Sequence, residues 1–420
     1  MEGIWMPAVL YLSIITTHIL LALVLINVPP TSYLRAFLLP ILLVPTLITV
    51  LTAKHASPVV PFNLTVGVGY GPRLALEIFD LVCISKAFYP SNTTNGVGNT
   101  RLPWHIRAVD ASRWALDVIL NKRRIGYPDQ NKYVGVLKVK NNPYQWPSRH
   151  RFLMFRFVRF VLGYMFLDLL SSQSLDDMDI KFGPGQERIL SRILTGKLSA
   201  VDFGEITGTI IGFGICGSLL LIICHDFVSL VAVGSGISPA ADWPPLFGPV
   251  LEAYSLRRFW SVVWHQQIRS LVENISFFVT HTILHIPEPT KQQLDHDMNT
   301  LDRVIARYSK IQVAFLVSGI LHLPIDRMQG IGFDHSGIVT FFSLQALGVF
   351  MEDIVCTMYR RTRASPASEH PPALWQRVAG YLWLYLWMFW CLPCWIFPAL
   401  RKGPMAAVPY SILSQVNPQH

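Results

Sequence analysis

His322 stands on an otherwise apolar segment, IQVAFLVSGILHLPI, where an imidazole is costly unless it faces a protein interior or a water-filled path. Ser318 and Gly319, one helical turn earlier, share its face and leave room for a substrate. A neutral imidazole there can take a proton from an alcohol as the oxygen attacks a thioester carbonyl, which makes His322 a candidate general base. Periodicity alone favours a plainer reading, a core histidine bonded to a carbonyl or hydroxyl. His265, in the triplet WHQ, is the second candidate; its plainer reading is an interfacial residue bonded to lipid headgroups. Arg257, Arg258 and Arg269 carry the guanidinium fork that suits phosphate oxygens, and lipid anchoring explains each of them equally well. His281 and His285 are spaced to share a helix face and hold a metal. The chain has no adjacent histidine pair and no HExxH, so no metal site is expected. Cys391 and Cys394 form a CxxC with no second pair and read as small buried residues.

These residues need elements to hold them. The stretch 242–269, DWPPLFGPVLEAYSLRRFWSVVWHQQIR, concentrates Trp, Arg, Pro and His between two long apolar runs. Ser255 is a plausible N-cap, and Leu256, Phe259, Trp260, Val263 and Trp264 follow at helix spacing on one face. The pattern predicts an amphipathic helix along the membrane surface, with Trp243, Trp260 and Trp264 at the interface and His265 at the boundary.

The blocks WPPLFG, SLRRFW and WHQ resemble the wax synthase-like branch of the membrane-bound O-acyltransferase family, in particular its fungal acetyltransferases of secondary metabolism. The basic segment LPWHIRAVDASRWALDVILNKRRIGY, the SGILH around His322, and the run 337–352 with Gln345, Gly348 and Glu352 extend the resemblance over most of the chain. The resemblance implies that His322 is the base and that His265, after a tryptophan in an FWxxW pattern, orients the acyl carbonyl or the acceptor hydroxyl. It implies a substrate site that includes Trp260 and Trp264. It also implies acetyl-CoA as co-substrate, no bound cofactor, and a lipophilic terpenoid or polyketide-derived alcohol as acceptor. Two rivals stay open: a wax ester synthase using long-chain acyl-CoA, and a transporter. The buried-looking pair His225-Asp226 suits a transporter; the lack of paired broken helices in two matching halves does not.

Composition agrees with a membrane protein. Of 420 residues, 51% are hydrophobic, and the mean hydropathy is +0.38. A net charge of +9 without any nucleic-acid-binding motif is explained by basic loops beside anionic lipid. The six cysteines lie in or beside apolar runs and make no disulfide framework. The expected fold is all-α and polytopic, with about 8–9 transmembrane helices and amphipathic interfacial helices. Residues 1–100 hold the N-terminal spans, including a weaker one at 66–88 that carries Glu77 and Asp80. The first span has no basic residue before it and reads as retained rather than as a cleavable signal. Residues 101–150 form a basic cytosolic segment with an amphipathic helix at 104–120. Residues 151–400 form the membrane-embedded core, and 401–420 form a tail. Further spans are expected at 152–170, at 206–233 (tilted or broken at His225-Asp226), at 271–286, at 311–325 (ending at Pro324), at 336–359 and at 378–400. The sequon at Asn63 falls on the lumenal side of this topology, and the endoplasmic reticulum is the expected membrane.

Overall fold

A computed structural model of the chain describes residues 5–53, 70–90, 104–127, 130–131, 148–172, 177–288, 300–362, 372–402, 408 and 411–413. All regular structure among them is helical. The Asn63 sequon lies outside the described residues.

Helices α1 (Met6–Asn27) and α2 (Leu34–Ala53) pack side by side, and the buried Arg35 closes their connection by donating to the carbonyls of Val28 (2.9 Å) and Ala87 (2.7 Å). Helix α3 (Gly71–Phe79), prolonged by a π-turn at Asp80–Ile84, and α4 (Trp104–Leu120) complete an N-terminal bundle around Leu21, Leu25, Leu42, Ile78 and Ile119. Leu12, Ile15, Ile19, Phe37, Val44 and Leu47 remain exposed on α1 and α2, an apolar surface suited to lipid.

Helix α5 (Arg149–Ser171) begins at Ser148, whose hydroxyl caps the Arg151 N–H. It lies along α6 (Ala200–Gly234), where Ser199 and Asp202 form a capping box. Apart from short helices such as Met178–Lys181 and Ile189–Leu194, the chain continues with α7 (Arg269–Phe277), prolonged by a π-turn at Phe278–Ile283, α8 (Thr300–Met328), α9 (Ile338–Thr362), α10 (Leu374–Cys391) and α11 (Pro393–Leu400). Helices α8 to α11 close a second core on Leu256, Ile338, Phe341, Trp387 and Leu392. Gly380 lies where a side chain would strike the Tyr254 carbonyl, so the 242–269 stretch is seated directly on α10. Asn274 of α7 donates to both carboxylate oxygens of Asp80 (3.1 and 3.2 Å), tying the two bundles together.

Among the described residues, five single helices (α1, α2, α6, α8 and α9) are long and apolar enough to cross a membrane, and α10 with α11, bent by 50°, makes a sixth candidate. Of the eight or nine expected spans, several runs do not form one long apolar helix among the described residues. The 66–88 run yields only α3 and a π-turn in its described part; the 271–286 run is likewise a short helix and a π-turn. Helix α5 is long enough, but Arg151, Arg156, Arg159 and Asp168 make it too polar. Three further expectations are corrected. Helix α6 runs unbroken through His225-Asp226, because arginines from α5 neutralise the carboxylate. Helix α8 starts well before residue 311 and continues past Pro324, as membrane helices tolerate when neighbours satisfy the freed backbone groups. His281 and His285 do not share a helix face, since the chain leaves the π-turn and His285 adopts φ 52°.

Candidate active site

The predicted surface helix is not formed. Ser255 does cap its first turn, accepting from Arg258 N–H (3.1 Å), but α-helix lasts only from Leu256 to Arg258 before a π-turn at Phe259–Val263. Trp264 is then extended (φ −66°, ψ 152°), and His265 stands in the break before α7. Apolar residues at helix spacing satisfy either winding; the break itself is stabilised by Gln266, whose Nε2 donates to the Trp264 carbonyl (2.8 Å).

Trp260 and Trp264 therefore face inward rather than a lipid interface. The Trp260 indole N–H donates to Gln345 Oε1 (3.2 Å), and fully buried Gln345 is held in turn by the Phe341 carbonyl (2.8 Å) and Cys391 Sγ (3.3 Å). Glu352 accepts the backbone N–H of Leu256 (2.6 Å), acting as a carboxylate cap on the short helix. Gly348 leaves the space that Leu256 and Trp387 occupy. Gln345, Gly348 and Glu352 are thus the sockets in which the SLRRFW block sits.

His322 lies on α8 with its Nδ1 2.6 Å from the Ser318 carbonyl. A carbonyl only accepts, so Nδ1 carries the hydrogen and Nε2 carries the lone pair. The ring faces Phe342 (centroids 4.9 Å apart); Phe342 lies 6.0 Å from Trp260, and Trp260 lies 6.0 Å from Trp264, which precedes His265. One aromatic wall thus joins the two histidines, reinforced by Phe315 against Trp260 and Phe213 stacked on Trp264. Gly319 does not leave open space for a substrate: a Cβ there would come within 3.1 Å of Val339 Cα, so it lets α9 approach. Ser318 spends its hydroxyl on the Ala314 carbonyl (3.0 Å).

His265 Nδ1 is buried without a hydrogen-bond partner. Burial first, then the nearby His322 imidazole and the charge of Arg73, hold its pKa down to about 3, so the ring is neutral. The two rings are thus electrostatic neighbours, one with its tautomer fixed and one with an orphan nitrogen.

The arginines predicted for phosphate are engaged within the chain. Arg257 pairs with Asp353, Arg258 with Glu252, and Arg269 with Glu273 (2.8 Å) and the Ser261 carbonyl (2.8 Å). Their visible role is to fasten the 242–269 stretch.

A network that sequence reading missed holds the same stretch from its other end. Arg156 of α5 donates to Asp226 (2.5 Å) and to the Trp243 carbonyl (2.5 Å), while Arg123 donates to the carbonyls of Pro244 (2.9 Å) and Pro245 (2.7 Å). Both ring nitrogens of His225 face these guanidiniums, and Arg159 adds a second cation to Asp226. Two arginines thus grip three consecutive carbonyls. The loop continues to Phe247, whose ring meets Trp264 (5.5 Å) and His265 (6.1 Å), and to Gly248, whose N–H donates to the Val263 carbonyl (2.9 Å). The signal was the arginine-rich LNKRRIGY and FRFVRF motifs, but their partners lie 70 and 122 residues away.

The described residues hold no group of three or more His, Cys, Asp or Glu able to bind a metal. The family model for membrane-bound O-acyl transferases matches residues 243–344, from the clamped Trp243 to the residue before Gln345, with both histidines inside. The chain is 32% identical over 306 residues to acetyltransferase ataH of Aspergillus terreus, covering 71% of this chain and 93% of that one. The chain belongs to the membrane-bound O-acyl transferase family. It is also 30% identical over 345 residues to acetyltransferase aurG of Calcarisporium arbuscula (78% of each chain). To acetyltransferase pyr8 of Aspergillus fumigatus it is 29% identical over 421 residues (94% of this chain, 89% of that one). No solved structure matches. With its family shown and its long apolar helices described, the protein is a multi-pass membrane acyltransferase. As a member of the O-acyl transferase family it moves an acyl group to a hydroxyl, and its acetyltransferase relatives place it among enzymes that transfer acetyl.

Proposed function

We propose that the protein transfers acetyl from acetyl-CoA to the hydroxyl of a lipophilic secondary metabolite of terpenoid or polyketide origin, in the endoplasmic reticulum membrane. The observation that carries the mechanism is the fixed tautomer of His322: its Nδ1–H is committed to the Ser318 carbonyl, leaving Nε2 as an acceptor beside the aromatic wall. Nε2 takes the acceptor's proton while the alcohol oxygen attacks the thioester carbon. His265, neutral and with an orphan nitrogen, orients the reacting oxygen by hydrogen bonding. As the tetrahedral intermediate collapses, the C–S bond breaks and the proton on His322 goes to the departing CoA thiolate. The thioester is already activated, so positioning and one proton transfer suffice.

Aromatic surface suits a flat, greasy acceptor, and the acetyltransferase relatives support the short donor. Carboxylate partners on Arg257, Arg258 and Arg269 argue against a phosphate site at those arginines. The ion pairs at Asp226 give the His225-Asp226 pair a structural task, which removes the feature that favoured a transporter. The test is CoA release by membranes carrying the protein, with acetyl-CoA and palmitoyl-CoA each offered alongside terpenoid and polyketide alcohols. Acceptor-dependent release with acetyl-CoA is expected; release with palmitoyl-CoA alone would replace this reading with wax ester synthesis.

A further inference from the structure

Helix α3 belongs to the N-terminal bundle, yet one of its faces turns toward the histidines. Leu76 packs, with Ile268, onto the cluster of Leu271, Val272, Ile275 and Leu321. Ile268 follows closely on His265, and Leu321 precedes His322. Arg73 lies one turn before Leu76 on the same face of α3 and is half-buried.

The polar groups around Arg73 pair off without it. Tyr70 lies 2.5 Å from His18 Nε2, and His18 Nδ1 lies 2.7 Å from the Ile14 carbonyl, so the phenol donates and the imidazole is satisfied at both nitrogens. Lys122 is paired with Glu77. Among the described residues no hydrogen bond or ion pair engages Arg73, whereas Arg257, Arg258, Arg269, Arg123 and Arg156 all have partners in the chain. The packing of α3 through Leu76 against Ile268 and Leu321 sets Arg73 on the side of the bundle nearest the candidate site, and its charge reaches Tyr70, Lys122 and His265. A partly desolvated guanidinium with no counter-ion is a standing site for negative charge.

We propose that Arg73 is a catalytic residue that contacts the thioester oxygen and stabilises the negative charge it gains as the acceptor attacks. The proposal rests on the acyl-transfer reading above. As the new C–O bond forms, the carbonyl π pair moves onto oxygen, where Arg73 meets it; the pair returns as the C–S bond breaks and CoA thiolate leaves. The phosphates of CoA are a second source of anionic oxygen. The long pantetheine arm holds them far from the carbonyl, so a cation on the α3 face that packs against Ile268 and Leu321 meets the reacting end.

The test needs no acceptor. The full-length protein in detergent micelles is titrated with S-carboxymethyl-CoA, whose carboxylate stands near the reacting oxygen, and with neutral S-ethyl-CoA. The wild type should prefer the carboxylate by about tenfold, the size of one charge-assisted contact. R73Q should lose that preference while binding S-ethyl-CoA as before, R73K should keep most of it, and H322A should leave it intact. Equal weakening of both ligands in R73Q would assign Arg73 to the phosphates and overturn the proposal. Loss of all binding in both R73Q and R73K would make it a structural residue and also overturn it, as would a wild type without preference. Failure of the wild type to bind either ligand would instead remove the acyl-CoA reading on which the proposal stands.

Discussion

The chemistry assigned to His322 depends on one backbone atom, the Ser318 carbonyl, which fixes where the ring proton sits. The wall beside it depends on Gln345, fully buried and divided between the Trp260 indole, the Phe341 carbonyl and Cys391 Sγ. Gln345→Leu keeps the volume and leaves the indole N–H without its acceptor, at a cost of about 1–3 kcal/mol. The larger effect should be on rate, since Trp260 is then free to turn within the wall: kcat/KM is expected to fall about tenfold or more, because small misplacements near reacting atoms are amplified. Thermal melting and steady-state CoA release on the same preparation separate the two effects. Unchanged kinetics with a lowered melting temperature would confine Gln345 to stability. The sequence marked Gln345 as familiar without a task, because its partner Trp260 lies 85 residues earlier.

At the scale of elements, the 242–269 stretch is a strap fastened at both ends. Arg123 and Arg156 hold its first carbonyls; Glu352, Asp353 and Glu252 hold its later turn. Asp226 is the anchor of the first fastening, fully buried between α5 and α6. Asp226→Asn leaves Arg156 without a counter-ion in a buried site, which should cost about 3–5 kcal/mol. Arg159, a third exposed, should matter less: Arg159→Gln loses a partly screened contact, and a shift well under that of Asp226→Asn is expected. Detergent melting curves of both variants check the order, and an equal shift would contradict it. The helix-spaced apolar residues of this strap were legible, but its winding was not. A π-turn and an α-turn present similar faces, and what selects the break at Trp264 is the Gln266 side chain and the clamped WPP loop.

Across the whole molecule, apolar runs marked a helical membrane protein, and the familial motifs marked an acyltransferase. Runs such as 271–286 are apolar enough to enter lipid but fold as a short helix and a π-turn. Arg257, Arg258 and Arg269 are spent on carboxylates, while Arg73, which no described residue pairs, lies in a segment that carried no motif. Long-range pairing decided Arg257, whose partner Asp353 lies 96 residues on, whereas Arg258 and Arg269 pair locally with Glu252 and Glu273. The most direct test is acceptor-dependent CoA release by His322→Ala in membranes, run beside the wild type with S-ethyl-CoA binding as the control for folding. Retained binding with release lowered by at least about a hundredfold is the predicted result for loss of a general base. Release at the wild-type rate would contradict it.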